Sequence, residues 1–222
     1  LEQRAVLLPA FSIGRTEEVI SGLSKLAFLK KDDLFKKIPF YVDSSLAHAG
    51  LKVFHEHTDL HTMDPRDLQS DNLHFIATEQ SYALDKSTEP KVLLSASGMM
   101  EGGHILHHAA SYLPQASTLL LFVGYQGEET LGRRILEGEK SVLIGKSPVE
   151  VNAEIKEIKG LSGHADHEDL MGFLATASKL QRVILLHGEA QNMTVFEELL
   201  SENLRIRKAQ HGIDVLENWN ET

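Results

Sequence analysis

The sequence lacks cysteine and any long apolar run. Without cysteine the chain cannot form disulfides, bind metal through thiolates or use a thiol nucleophile. A membrane-spanning helix needs about 20 consecutive apolar residues, so no membrane partner is predicted. The absence of cysteine is compatible with a reducing compartment, and a cytoplasmic location is expected. Basic residues are also few, because 22 Lys and Arg stand against 32 Asp and Glu, for a formal net charge of −10. Nucleic-acid binders that ignore sequence usually present a basic surface, so any such contact is expected to be confined to a local site.

Histidine, in contrast, is abundant, with 12 residues in a chain of 222. Its imidazole is a common neutral metal ligand and titrates near neutral pH. The composition therefore favours a metal site or an acid–base site, although histidine also occurs as an ordinary surface residue.

Short apolar runs alternate with stretches of helical period along the chain. Ala5–Leu8, for example, has the pattern of a buried strand, and a helix with Thr16 as its N-cap is predicted to follow. Such alternation is typical of an α/β fold with a mainly parallel sheet. Ligands of these sheets bind at the carboxyl ends of the strands. Four loops at such positions are therefore candidate site segments, at residues 11–15, 95–103, 160–167 and 187–189.

The loop from Ser95 to Gly103 follows a buried strand and precedes a predicted helix. Its small residues allow a close approach of the backbone to a ligand, and the N–H groups of the next helix favour an anion. These features indicate a phosphate-binding loop. A plain strand-to-helix turn is the alternative, because a glycine-rich loop alone is a weak signal.

Two further loops carry histidine. His164 lies two residues before Asp166, and a histidine oriented by a carboxylate can transfer a proton or bind metal. The alternative is a helix-capping aspartate beside surface histidines. His187 ends an apolar strand, which suits a metal ligand held by a rigid element. The alternative is a half-buried histidine with a backbone partner.

Two other histidine groups are expected to have no such role. The segment His55–His61 resembles the zinc motif H-x-H-x-D-H, but one extra residue separates Asp59 from His61, so a solvated polar surface is predicted. His104, His107 and His108 are spaced i, i+3 and i+4 on a predicted helix. Two of them could share a metal, but a solvent-exposed helix face is favoured.

Taken in order, the loop motifs resemble those of the β-CASP ribonucleases of the metallo-β-lactamase superfamily. The similarity begins with the strand and Gly-Arg turn at residues 7–15 and the strand at 39–44. It continues through the serine-rich loop at 95–103 and the turn at 124–132. It ends with Ser-Gly-His-Ala-Asp at 162–166 and His-Gly-Glu at 187–189. Each motif alone is unspecific, whereas the ordered set is specific.

This resemblance implies zinc-dependent hydrolysis of RNA phosphodiester bonds at a two-zinc site, where zinc would activate the attacking hydroxide. His187 would be a zinc ligand, and histidine at this position favours RNA over DNA as the substrate. His164, with Asp166, would contact the scissile phosphate or assist the leaving group. Phosphate would be held by Ser97 and Gly98, with help from Arg15.

The resemblance also implies a domain organisation. Residues 1–151 would form most of a parallel-sheet β-CASP domain with helices on both faces. Residues 152–222 would form the C-terminal returning segment of a metallo-β-lactamase αββα domain. The family's remaining zinc ligands precede this part of the chain, so these residues alone are expected to be inactive and to retain no zinc. The alternatives are a non-catalytic module that binds RNA or assembles with partners, and a hydrolase acting on DNA or a small substrate. A homodimer is a further candidate assembly.

Overall fold

The computed structural model describes residues 5–30, 37–161, 163–177, 180, 182–203 and 210–211. The chain divides into two compact units, one from Leu1 to Ser162 and one from Gly163 to Thr222. Each unit is described by itself.

The first unit is built on a six-stranded sheet. Its strands are β1 (Ala5–Pro9), β2 (Phe40–Asp43), β3 (Leu73–Phe75), β4 (Lys91–Ser95), β5 (Leu119–Phe122) and β8 (Glu154–Glu157). Their order in the sheet is β3-β2-β4-β1-β5-β8, and all neighbouring strands are parallel. Parallel strands are buried on both faces, which accounts for the continuous apolar runs in β1, β4 and β5.

Helices cover both faces of this sheet. The helices are α1 (Arg15–Lys30), α2 (Ser45–Glu56), α3 (Thr78–Leu84), α4 (His104–Tyr112) and α5 (Leu131–Leu136), with 3-10 turns at Pro65–Leu68 and Lys159–Leu161. Leu7 belongs to a core cluster with α4 and α5, whereas its neighbour Leu8 belongs to a second cluster with α1 and α2. Successive side chains of a strand point to opposite faces, so the two clusters lie on opposite sides of the sheet.

One local prediction needs correction. Thr16 is not an N-cap: it lies inside α1, and its hydroxyl donates to the Phe11 carbonyl at 2.9 Å.

β6 (Ser141–Ile144) and β7 (Ser147–Glu150) form a separate antiparallel hairpin, with Pro148 in its second strand. In this two-stranded sheet every strand is an edge, where proline is tolerated.

The second unit contains α6 (His167–Ala175), β9 (Ile184–Leu185), α7 (Ala190–Asn203) and β10 (Gln210–His211). The two strands are parallel. Val183 and Leu200 are its buried apolar residues among those described, and partly buried side chains of both helices pack on them.

The α/β class, the parallel sheet and the helices on both faces are confirmed. The division at Val151 stays a prediction: β8 joins the sheet of the first unit, and the compact units divide after Ser162. Within the described ranges, none of the helices is sufficiently long and apolar to span a bilayer.

Candidate phosphate loop and polar cluster

The loop after β4 is folded back on the first turn of α4. The Ser97 N–H donates to the Gly102 carbonyl at 3.3 Å, and the Met100 N–H donates to the Ser97 carbonyl at 3.2 Å. The Ile105 N–H donates to the Ala96 carbonyl at 3.0 Å. The two ends of the loop are therefore tied to each other.

This loop also lies against the end of β1. A Cβ atom on Gly98 would be 3.2 Å from the Phe11 nitrogen and 3.4 Å from the Ala10 carbonyl carbon. Such distances leave little room for a side chain, so the sequence places glycine where two backbones meet. The structure thus brings the predicted phosphate residues Ser97 and Gly98 next to the loop that begins at Phe11.

Arg15 begins α1 and is largely buried. Its Nη1 atom donates to Glu18 Oε2 at 2.6 Å, and its side chain is 14% exposed. Within the described ranges, its guanidinium forms no hydrogen bond with the loop of residues 97–103. Its role in phosphate binding stays a prediction.

Gln126 braces the loop from the turn after β5. This residue is 2% exposed, and its Nε2 atom donates to the Gly98 carbonyl at 2.9 Å and to the Gly124 carbonyl at 3.0 Å. Two further bonds reach the loop from α5. The Gly132 N–H donates to the Met99 carbonyl at 3.1 Å, and the Leu131 N–H donates to Glu101 Oε1 at 2.7 Å. The turn at residues 124–132 is therefore clamped to the loop at residues 98–101, although sequence reasoning gave Gln126 no role.

A polar cluster lies at the ends of β2 and β4, beside this loop. His108 is fully buried, with Nε2 2.8 Å from Asp43 Oδ2 and Nδ1 2.7 Å from Asp85 Oδ1. His104 Nδ1 lies 2.8 Å from Asp43 Oδ1, and His107 Nδ1 lies 3.3 Å from Asp85 Oδ2. The prediction of a solvent-exposed helix face is wrong for His108, which is fully buried, and for His107, which is 22% exposed, because the carboxylates of Asp43 and Asp85 face the helix. The side chain of His104 is 40% exposed, as the prediction expects.

The pKa directions agree with a charged His108 between two carboxylates. Burial by itself lowers the pKa of His108, but hydrogen bonds with Asp43 and Asp85 outweigh it and raise the pKa above its usual value. Burial likewise raises the pKa of Asp43, but hydrogen bonds from His108 and two neighbouring donors lower it to about 2. For His107, burial and then the charge of His108 lower the pKa. Ionised partners make the hydrogen bonds of this cluster stronger than neutral ones.

Asp43, His107 and His108 offer ligand atoms within 4.8 Å of one another, the single such group of three among the described residues. The Ser81 hydroxyl occupies the space between them, 2.6 Å from Asp43 Oδ2, 2.8 Å from His107 Nε2 and 3.3 Å from His108 Nε2. A cation there would have to displace this hydroxyl and the proton that His108 shares with Asp43. The cluster therefore fits a hydrogen-bond network better than a metal centre.

In the second unit, Asp166 is the N-cap of α6. Its Oδ1 atom accepts from the Glu168 N–H at 2.9 Å and the Asp169 N–H at 3.0 Å, and Asp169 Oδ2 accepts from the Asp166 N–H at 3.2 Å. This reciprocal arrangement is a capping box. Asp166 and His164 are both exposed. The structure thus shows the capping role that the sequence offered for Asp166, while catalytic roles for His164 and Asp166 stay predictions.

His187 follows β9 with a left-handed backbone, at φ 61°, and its side chain is exposed. No group of three ligating residues includes His187 within the described ranges. The role of His187 as a zinc ligand, and the expectation that these residues alone retain no zinc, stay predictions. Ser97 and Gly98 belong to the first unit, whereas His164, Asp166 and His187 belong to the second.

Asp43, Ser81, Asp85 and Gln126 are the residues that sequence reasoning missed. The position of Asp43 at the end of a predicted strand was the available signal. Ser81 and Gln126 offered none, because their partners lie 38 and 28 residues away in the chain.

The chain is similar to proteins from bacteria and archaea. It is 31% identical over 205 residues to ribonuclease TTHA0252 of Thermus thermophilus, covering 88% of this chain and 46% of that protein. It is 30% identical over 209 residues to the transcription termination factor FttA of Pyrococcus abyssi, covering 84% of this chain and 30% of that protein. It is 26% identical over 205 residues to an RNase J-like protein of Methanocaldococcus jannaschii, covering 90% and 47%. The chain thus spans about a third to a half of the length of these relatives.

Two family models match the chain in sequence order. The model of the Zn-dependent metallo-hydrolase RNA specificity domain matches residues 148–215. The model of the Beta-Casp domain matches residues 16–135, which include the clamped loop and all of α1 and α5 except Arg15 and Leu136. By this match over more than half of its length, together with the parallel α/β sheet, the chain belongs to the β-CASP family of the metallo-β-lactamase superfamily.

Proposed function

We propose that the full-length protein is a zinc-dependent ribonuclease and that this chain supplies the surface that holds the RNA backbone. The observation that carries the proposal is the match of residues 148–215 to a Zn-dependent metallo-hydrolase RNA specificity domain, following a Beta-Casp domain in the same chain. A similar protein of Thermus thermophilus is named a ribonuclease. A non-catalytic module and a hydrolase of DNA or small molecules are not favoured, since the matched domain and this relative both point to RNA.

The clamped loop supports the part of this proposal that concerns phosphate. Gln126 and Gly132 hold the carbonyl groups of Gly98 and Met99. A loop tied in this way is organised before the substrate binds, so little conformational entropy is lost when a phosphate contacts the Ser97 hydroxyl and the neighbouring backbone. The net charge of −10 adds a reason for a local site, because phosphate would be repelled from most of the surface.

The roles in the second unit are part of the proposal. His187 would be one zinc ligand of the full-length protein. His164 would contact the scissile phosphate. Asp166, as the cap of α6, would hold the start of that helix and with it the loop that carries His164. A cytoplasmic location and a homodimer also remain proposals.

The test is cleavage of RNA and of DNA with the same sequence by the full-length protein. RNA cleavage is expected, with loss in chelator and recovery on addition of zinc. Loss of a residue that merely orients a zinc ligand typically costs 10–100-fold, so His187→Ala should lower RNA cleavage by at least about 100-fold. His57→Ala is the matched control, because His57 is exposed in a turn of the first unit. Undiminished RNA cleavage by His187→Ala would contradict the role of His187 as a zinc ligand. Cleavage of DNA but not of RNA would contradict the proposal that the protein is a ribonuclease.

A further inference from the structure

His104 is the member of the polar cluster that reaches solvent. Its side chain is 40% exposed, against 22% for His107 and 0% for His108. The Asp43 carboxylate that accepts from its Nδ1–H is only 2% exposed. A buried carboxylate that holds one ring nitrogen fixes the orientation of the imidazole and directs the other nitrogen, Nε2, away from the carboxylate.

The position of this imidazole is set by the clamped loop. His104 follows Gly103, whose φ is +73° and where a Cβ atom would lie 2.7 Å from the Ala96 carbonyl oxygen. The last residue of the loop is therefore pressed against the end of β4. On the other side, Asp43 pairs in register with Ser95. His104 thus lies at the carboxyl ends of β2 and β4, beside the loop that begins at Ser97.

The other two histidines of α4 are already engaged. His108 bridges Asp43 and Asp85 in the interior, and His107 Nε2 lies 2.8 Å from the Ser81 hydroxyl. Of the three, His104 alone combines an exposed imidazole with a buried carboxylate behind it. A purely structural residue would not need this exposure, because the bond to Asp43 uses only Nδ1.

We propose that His104 binds the RNA backbone, with its imidazole ring between the Asp43 carboxylate and a phosphate of the strand held by the Ser97–Gly103 loop. This inference rests on the proposed ribonuclease function and adds a phosphate-binding residue to it. In this arrangement the Nδ1–H group donates to the Asp43 carboxylate and the Nε2–H group donates to the phosphate, and hydrogen bonds to ionised acceptors are stronger than those to neutral ones. The chemistry recognised is a backbone phosphate, whatever the base.

The test is the affinity of the full-length protein for a 2′-O-methyl RNA, which keeps every phosphate. His104→Asn is the informative variant, since the asparagine amide can still donate to Asp43 but nothing replaces Nε2. Affinity is expected to fall about tenfold, as for the loss of a hydrogen bond to a charged group. The dependence of log Kd on log salt concentration should also become shallower by about 0.7, the value for one phosphate contact with a single strand. Loss of a structural bond would not change this slope.

Two comparisons guard against a folding defect. His57→Asn makes the same change at an exposed histidine that caps the C-terminal end of α2, away from the carboxyl ends of the strands. It should leave affinity and slope unchanged. His104→Gln loses the bond to Asp43, but its longer amide extends toward the position of Nε2. It should therefore retain more affinity than His104→Asn, and it supplies the test if the asparagine variant does not fold.

Three outcomes would overturn the inference. If the protein cleaves RNA but His104→Asn binds with unchanged affinity and slope, His104 is not a phosphate contact and the ribonuclease proposal stands. If affinity falls without a change in slope, the contact is to an uncharged group. If the full-length protein neither binds nor cleaves RNA, the proposed function fails and this inference fails with it.

Discussion

Gly132→Ala should destabilise the protein, although alanine is the better helix former. Gly132 lies in α5, and a Cβ atom there would be 1.8 Å from Gln126 Oε1, 2.9 Å from Gln126 Cδ and 3.1 Å from the Met99 carbonyl oxygen. The first two contacts are too short for any side chain. The alanine variant must therefore displace the Gln126 amide, which holds the Gly98 carbonyl at 2.9 Å.

The expected magnitude follows from two opposing effects. Helix propensity favours alanine over glycine by about 1 kcal/mol. Overpacking a filled interior costs about 1–3 kcal/mol, and each buried hydrogen bond that is lost costs about 1 kcal/mol net. Gln126 Nε2 donates to the carbonyls of both Gly98 and Gly124. The free energy of unfolding should thus fall by roughly 2–4 kcal/mol, and backbone hydrogen exchange in residues 97–103 should accelerate.

Urea unfolding and hydrogen-exchange mass spectrometry provide the assay, with Gly22→Ala as the matched control. Gly22 lies inside α1, and a Cβ atom there meets nothing within 4 Å. The control should gain up to about 1 kcal/mol of stability. Adding Gln126→Ala to Gly132→Ala should recover part of the loss, because the clash is then removed. If Gly132→Ala is as stable as the wild type and hydrogen exchange in residues 97–103 is unchanged, Gln126 does not hold this loop in the way described.

Two further predictions concern His108 and Asp166. The pKa of His108 is raised in the folded state, so its stabilising contribution is complete below the unfolded pKa and is lost as pH rises through the raised value. The pKa of Asp43 is lowered from 3.8 to about 2, so its contribution, on the order of 2 kcal/mol, is complete above 3.8 and is lost as pH falls toward 2. The free energy of unfolding, measured with urea between pH 4 and 9, should decline on the alkaline side, and His108→Gln should reduce this decline. If the free energy of unfolding depends on pH in the same way in both proteins, His108 is not held in its charged form. Asp166→Ala should destabilise α6 by about 1 kcal/mol, whereas Asp166→Asn keeps the N-cap hydrogen bonds. If RNA cleavage by the full-length protein falls in both variants, Asp166 acts as a catalytic carboxylate. If cleavage is retained in Asp166→Asn, Asp166 acts only as the helix cap.

The sequence alone was sufficient to predict the class of fold and most of the elements. Apolar runs followed by loops of small residues are local features, and they predicted β1, β4 and the helix from His104 to Tyr112. The ordered loop motifs predicted the family, which the comparisons confirmed. Such signals survive in the sequence because strand and helix periodicity depend on near neighbours in the chain.

The tertiary structure alone decided which polar groups meet. The spacing of the α4 histidines placed them on one helix face, but it did not determine whether that face was exposed to solvent. Asp43, 65 residues before His108, and Asp85, 23 residues before it, bury that histidine through contacts that no local pattern encodes. In the same way, Gly132 has an ordinary helical position in the sequence, and only the approach of Gln126 makes a side chain there unacceptable. Burial and pairing depend on residues that are distant in the chain, and these contacts form only when the sheet assembles.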